Sequence, residues 1–334
     1  MSLLLPGPVP AEHGFLHAVR DGYLAATTAP HPYSIQAPRS RLARMHRWHS
    51  SLSGVQRRSR RIQDHDMAWL ETGRESAEPV VLLHGFGSAK ENWLPLAPLL
   101  SSRYRLFMLD LPAWGESSFN ASARYGLEDQ VGRVAEWIRR EIGRPVHLVG
   151  NSAGGAAAGL LAGRHPELTQ TLALLNPAGL HSPTQTRFQR ELAQGVNPML
   201  PANLAGVHRL LKLAMHHRGL ALSLAPVMAG DIIARRDLNA HLFAELMRHM
   251  PDVDAPGLSA CRAPTLVLWG DHDRLVHVSG IHTARALLPT AQSRILRGIG
   301  HLPMVEAPRL SARMLHRFWQ EQAHALPRRW QRAA

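Results

Sequence analysis

Between Val80 and Trp269 the chain alternates short, uninterrupted apolar runs with longer stretches of helical period. Val80 to Leu83, Tyr104 to Leu109, Val146 to Val149, Leu172 to Leu175 and Thr265 to Trp269 have the length and composition of strands buried on both faces. Helix signals lie between them, around Trp93 to Leu100 and along the stripe Leu127, Val131, Val134, Ile138 and Ile142. That beat predicts an α/β protein with a mostly parallel central sheet and helices on both faces. In such sheets ligands bind beyond the C-terminal ends of the strands.

From Asn176 to about Gly257 the beat stops. Val207, Leu210, Leu211 and Ala214, then Ile232 and Ile233, then Leu242, Phe243, Leu246 and Met247 repeat at helical spacing, cut by Pro198, Pro201 and Pro226. This is expected to be a helical cap inserted between two core strands, its Leu and Met residues forming either a pocket wall or ordinary core. Ahead of the sheet, Arg61 to Gly73 suggests a hairpin whose second strand, Met67 to Leu70, is an antiparallel edge. The expected division is a basic N-terminal appendage over residues 1–58, core over 59–179, cap over 180–257 and core again over 258–334.

Six prolines from Pro6 to Pro38 interrupt any long element in the appendage, and Gly22 to Gln63 contains no acid. Within it, Arg41 to Ser53 has the pattern of a basic amphipathic helix with Leu42, Met45, Trp48 and Leu52 on one face. Either that helix packs on its own domain, or it meets an anionic membrane surface. Arg39, Arg41, Arg44, Arg47, Arg57, Arg58, Arg60 and Arg61 would supply the charge in the second case.

A chain of 334 residues suffices for one large domain with an insertion. The formal charge is +13, and 36 of the 38 basic residues are arginine. The basic residues are dispersed and no zinc-finger or aromatic-basic motif accompanies them, so nucleic acid is not an expected partner. The single cysteine, Cys261, excludes an intrachain disulfide and reads as a small core residue. The first residues lack the basic and apolar regions of a signal peptide, and no apolar run reaches the length that crosses a bilayer. A cytoplasmic protein, soluble or peripheral to a membrane, is expected. His216 and His217 lack a second ligand set, so neither metal nor cofactor is expected.

The chemistry gathers at the ends of the predicted strands. Val146 to Val149 runs into Gly150-Asn151-Ser152-Ala153-Gly154, a Gly-x-Ser-x-Gly turn in which a strained serine stands between strand and helix. Gly150 and Gly154 must lack side chains where those elements nearly touch. A serine hydroxyl becomes a useful nucleophile when a base oriented by a third group takes its proton. After Thr265 to Trp269 comes Gly270-Asp271-His272-Asp273, which offers a carboxylate. After Ser293 to Leu296 comes Gly298-Ile299-Gly300-His301, which sets His301 on a tight loop in the order serine, acid, histidine. An oxyanion needs two backbone N–H donors. Ala153 at the helix start supplies one, and Phe86 in His84-Gly85-Phe86-Gly87 is expected to supply the other.

These stretches resemble the α/β-hydrolase superfamily, and within it bacterial lipases and esterases similar to monoacylglycerol lipase. The resemblance runs from about Val55 to Trp319. It rests on Leu83 to Gly87, Asp110 to Ser117, the serine turn, Asn176 to Leu180, Trp269 to Asp273, and Gly300 to Pro303 with Glu306 and Pro308. It implies Ser152 as nucleophile, His301 as base and Asp273 as acid, preferred over Asp271 because the family pattern is Gly-x-x-Asp. Two positions depart from the pattern. Ala113 stands where glycine is usual, and Asn176 stands where some relatives carry the acid. A serine at 152 disfavours dehalogenase and epoxide-hydrolase chemistry, which use aspartate there. The resemblance implies carboxylic ester hydrolysis, and the apolar residues of the expected cap, able to enclose a hydrocarbon tail, favour medium-chain acyl esters or monoacylglycerols. Perhydrolysis, carbon–carbon bond hydrolysis, peptide hydrolysis and a catalytically silent binding module are the alternatives.

Overall fold

The apolar runs assemble into one sheet, seen in a computed structural model that describes residues 14–35, 37–38, 54–249 and 257–325. Its strands are β1 (Gln56–Ile62), β2 (His65–Thr72), β3 (Glu78–Leu83), β4 (Tyr104–Leu109), β5 (Val146–Asn151), β6 (Thr169–Leu175), β7 (Thr265–Gly270) and β8 (Gln292–Leu296). They lie in the order β1-β2-β4-β3-β5-β6-β7-β8. From β4 through β8 every pairing is parallel, whereas β2 runs antiparallel to both β1 and β4.

The helices, in chain order, are α1 (Gly14–Ala26), α2 (Ala97–Leu100), α3 (Leu127–Glu141), α4 (Ala153–Arg164), α5 (Arg187–Ala193), α6 (Leu204–Ala214), α7 (Arg218–Ala234), α8 (Arg236–Arg248), α9 (Gly280–Leu287), α10 (Pro303–Glu306) and α11 (Pro308–Ala325). Successive strand residues point to opposite faces, so the continuous apolar runs feed two cores. Val81, Leu83, Leu148 and Val267 pack with Val134, Ile138, Leu160 and Ile281 of α3, α4 and α9. Val80, Leu82, Val149 and Leu268 pack with Leu100, Leu315, Phe318 and Trp319 of α2 and α11. Cys261 is buried in the first core, and burial pushes its thiol pKa up.

A third core belongs to the inserted helices α5 to α8, with Phe188, Leu192, Val207, Leu211, Ala225 and Phe243. Helix α1 contributes Val19 and Tyr23 to it, and the Tyr23 and Phe243 rings meet edge to face at 4.9 Å. Helix α1 of the N-terminal segment is therefore packed on the cap. The sheet also starts earlier than expected, since β1 includes Gln56, Arg57 and Arg58. The basic helix expected over Arg41 to Ser53, with Arg39, lies outside the described residues.

The other four arginines of that stretch sit on β1, and the fold brings acids to all of them. Arg57 faces Glu91 and Glu116, Arg58 faces Glu71 at 3.8 Å, Arg60 faces Glu141 at 2.6 Å and Arg61 faces Asp66 at 3.6 Å.

Two proline effects differ from expectation. Pro95 and Pro98 break the helix expected from Trp93 to Leu100 into a single 3₁₀ turn, Lys90–Trp93, and the short α2. Pro226, expected to end a helix, lies inside α7. Both Pro226 and Leu222, four residues earlier, are solvent-exposed. The proline thus lies on the outer face of the helix, and its ring needs no room in the core.

Candidate functional site

Strand β5 ends at Asn151 and α4 begins at Ala153, so Ser152 makes the turn alone, at φ 56° and ψ −122°. That left-handed backbone is unusual for a residue with a side chain and persists only where its surroundings enforce it. Here Ser152 N–H donates to Leu175 O at 3.1 Å, and Ser152 O accepts from Ala178 N–H at 3.0 Å. The flanking glycines are forced by space. A Cβ on Gly150 would lie 2.2 Å from Gly154 O, and one on Gly154 would lie 2.3 Å from both Leu83 O and His84 O.

His301 lies on the loop between β8 and α10. Its Nδ1 is 2.6 Å from Asp273 Oδ2, and both side chains are almost wholly buried. Asp273 Oδ2 also accepts from Asn176 Nδ2 at 2.7 Å, while Oδ1 accepts from Leu275 N–H at 2.8 Å and Val276 N–H at 2.9 Å. The carboxylate thus faces donors on every side. Asp271, two residues earlier, instead accepts from Gly298 N–H at 2.8 Å and meets His272 Nδ1 at 2.6 Å. Of the two carboxylates offered by the sequence, the fold brings Asp273 to His301 and sends Asp271 to the neighbouring turn.

Several residues that hold this arrangement lie in or near the sequence motifs but have no role assigned from the sequence. Asn151 Nδ2 donates to Leu175 O at 2.9 Å and His301 O at 3.0 Å, tying the serine turn to the histidine loop. His301 N–H donates to Ala214 O at 2.7 Å, at the end of cap helix α6. Glu306 accepts from Gly300 N–H at 2.9 Å with Oε1 and from the His216 and His217 amides at 2.7 and 3.1 Å with Oε2. The histidine loop is therefore pinned to the cap from both sides.

The His84-to-Gly87 loop follows β3 and faces the serine, with a Cβ on Gly85 reaching to 3.0 Å from Ser152 Cβ. Leu111 N–H donates to His84 Nε2 at 3.1 Å, so Nε2 is the acceptor and Nδ1 carries the proton, donating to Gly85 O at 2.8 Å. Burial lowers the His84 pKa, which agrees with the neutral ring. The ring of Phe86 sits between Trp114 of the core at 5.6 Å and Phe243 of the cap at 5.1 Å. Ala153 is the first residue of α4, so its N–H belongs to the first-turn donors that have no partner within the helix.

Beneath this loop Asp110 is fully buried, and Lys90 Nζ donates to it at 2.5 Å. Lys90 N–H and Glu116 N–H, both at 2.8 Å, complete its shell. A Cβ on Gly115, which has φ +56°, would lie 2.2 Å from that carboxylate. Ala113 takes φ 73° where the resemblance has glycine. Its carbonyl, with that of Gly115, accepts from the Arg235 guanidinium of the cap.

Ser152 and His301 open onto one cavity of about 100 Å³, walled by Phe86, Met199, Leu210, Leu211, Met228, Ile232, Leu275 and Leu302. Asn92, Asn239 and Ser88 add polar points to its lining. The cap residues thus supply a pocket wall. Among the described residues no three His, Cys, Asp or Glu side chains are grouped to hold a metal ion. No described helix is long and apolar enough to cross a membrane.

A serine at a strained strand-to-helix turn, over a doubly wound sheet and beside a histidine–aspartate pair, defines the hydrolase class. Residues 78–308 match the family described as alpha/beta hydrolase fold, and the chain belongs to that family. The chain is 30% identical to Lipase 1 of Psychrobacter immobilis over 243 residues, covering 72% of this chain and 76% of that protein. It is 28% identical to monoacylglycerol lipase abhd6-B of Xenopus laevis over 287 residues, 81% of this chain and 84% of that one. Among solved structures, a membrane phospholipase A described as a bacterial virulence factor superposes with a TM-score of 0.77 at 34% identity, covering 84% of this chain and 91% of the other. A putative lipase of Acinetobacter baumannii AYE gives a TM-score of 0.74 at 24% identity over 86% of this chain and 99% of the other, a likeness of fold. With these relatives, the chain is an enzyme of the carboxylic ester hydrolase type.

Proposed function

We propose that the chain hydrolyses medium-chain acyl esters or monoacylglycerols through an acyl-enzyme on Ser152. In this reading His301 takes the Ser152 proton as Oγ attacks the ester carbonyl, and Asp273 fixes the ring and stabilises the imidazolium. The N–H groups of Phe86 and Ala153 receive the oxyanion. Collapse of the intermediate expels the alcohol, which takes the proton from His301. Water then attacks the acyl-enzyme by the same route and releases the acid. No cofactor enters, and the substrate is a lipid or small ester, met in part at an anionic membrane surface.

The observation that carries the proposal is the 2.6 Å contact between His301 Nδ1 and Asp273 Oδ2 at the wall of the cavity that Ser152 also lines. The apolar wall supports an acyl tail, because each buried methylene contributes about 0.8 kcal/mol, roughly fourfold in kcat/KM. The likeness to a membrane phospholipase A supports phospholipid acyl esters as a second substrate class.

A fluorophosphonate probe and a series of p-nitrophenyl esters of increasing chain length, run beside monoacylglycerols, test the proposal. The probe should label the protein and fail to label Ser152→Ala, whose turnover should fall by on the order of 10⁶ with the fold intact. Labelling that survives the substitution, or a strict preference for acetyl esters or peptides, would refute it.

A further inference from the structure

A larger cavity than the one at Ser152 lies between α5, α6 and the loop that follows β7. It measures about 490 Å³ and is lined by Arg187, His208, Arg209, Lys212 and Arg274, with Ala205 and Leu213 between them. His208, Arg209 and Lys212 follow one stripe of α6, and Leu210, Leu211 and Ala214 on its other side reach the Ser152 cavity.

The lining carries four permanent positive charges and meets one carboxylate. Arg187 Nε and Arg209 Nη2 share Glu191, at 2.7 and 2.5 Å. Arg274 Nη1 donates to the Lys212 carbonyl at 3.0 Å. Among the described residues no carboxylate pairs with Lys212 or Arg274. Like charges gathered in a concave surface raise the local potential and favour a counter-anion. Guanidinium forks and an ammonium are the groups that meet the oxygens of a phosphate.

We propose that this cavity binds a phosphate-bearing anion. Its volume exceeds what a bare phosphate needs and admits a mono- or diester with its substituent. The anion would sit on the far side of α6 from the Ser152 cavity, about one helix diameter away, roughly 10 Å. A soluble phosphate ester and the phosphate of a lipid headgroup share this chemistry. The proposal concerns binding alone, so it stands or falls apart from the proposed reaction.

The test uses the full chain in two arms. One is calorimetric titration with glycerol 3-phosphate, and the other is co-sedimentation with phosphatidylglycerol vesicles against phosphatidylcholine vesicles. Both arms are repeated on Arg209→Gln/Lys212→Gln and on the charge-keeping Arg209→Lys/Lys212→Arg. Both side chains are solvent-exposed, so melting temperature and hydrolysis of a short soluble ester should be unchanged. Near an anionic surface each basic side chain contributes about fivefold, so the double glutamine variant should bind on the order of 30-fold more weakly. The charge-keeping variant should bind as the parent does. Binding in the titration arm assigns a soluble ester, binding only to anionic vesicles assigns the headgroup, and binding in both assigns the shared phosphate. Absence of binding in both arms, or binding undiminished by the glutamine pair, overturns the proposal. Should the double variant melt early, Lys212→Gln alone replaces it, with an expected loss of about fivefold.

Discussion

Replacing Asp273 by asparagine exchanges one acceptor for a donor at a position where only donors arrive. Oδ1 receives two backbone N–H groups, and Oδ2 receives His301 Nδ1 and Asn176 Nδ2. The amide would keep its oxygen toward Leu275 and Val276, because backbone donors cannot turn away. Its NH2 then opposes His301 and Asn176. Asn176 can rotate its own amide to present oxygen, whereas His301 can meet the new donor only by moving its proton to Nε2. That tautomer has no free lone pair to accept a proton from Ser152. The charge-assisted hydrogen bond from His301 that is lost at Oδ2 is worth about 1.5–3 kcal/mol. It corresponds to roughly 10–10² in rate at 1.36 kcal/mol per decade, and the wrong tautomer raises the loss to about 10⁴. In Asp271→Asn the remaining carbonyl oxygen can still accept from Gly298 N–H, so kcat should change by less than about threefold, within the ordinary spread of surface substitutions. Steady-state kinetics on a p-nitrophenyl ester decides the matter, with melting temperatures to show that both variants fold. An Asp273→Asn enzyme retaining a tenth of the parent rate, or an Asp271→Asn enzyme equally crippled, would refute the assignment.

Gly154→Ala places a methyl carbon against two backbone oxygens that cannot yield, so α4 must separate from β3. A loss of about 3 kcal/mol in urea unfolding is expected, together with loss of activity. Arg235→Ala removes the donor shared by Ala113 O, Gly115 O and Pro38 O and should cost roughly 1–3 kcal/mol, measured by chemical denaturation. His84 titrates lower in the folded state than in the unfolded chain, chiefly through burial. The unfolded chain therefore takes up a proton first as pH falls below about 6.5, and the stability due to neutral His84 is lost on the acid side. His84→Asn, which keeps a donor for Gly85 O, should be less stable at neutral pH and should show a shallower decline between pH 7 and 5. An unchanged slope would count against the neutral ring.

The sheet was readable because parallel strands buried on both faces need unbroken apolar runs, and Tyr104 to Leu109 coincides with β4 to the residue. The residues of the Ser152 site were readable because a strained serine turn demands glycines at fixed spacing, and because the later residues follow in a set order. What stayed hidden depends on partners distant in sequence. Arg57, Arg58, Arg60 and Arg61 seemed to lack acids because Glu116, Glu71, Glu141 and Asp66 reach them only once β1 is paired. Buried Lys90 looks like any surface lysine until Asp110 is seen beneath it. Helix α1 was obscured by the prolines around it. The choice between Asp271 and Asp273 rested on a family pattern, since nothing in Gly270 to Asp273 says which carboxylate turns toward His301.

The hydrogen bond from His301 N–H to Ala214 O joins the histidine's backbone to the cap itself. A cap that swung away as a whole would drag or release that loop, so any such movement would be felt at His301. The exchange rate of the single His301 amide with deuterated solvent thus reads the open fraction directly. A ligand that fills the Ser152 cavity should slow that one amide together with those of His216 and His217, which Glu306 holds to the same loop.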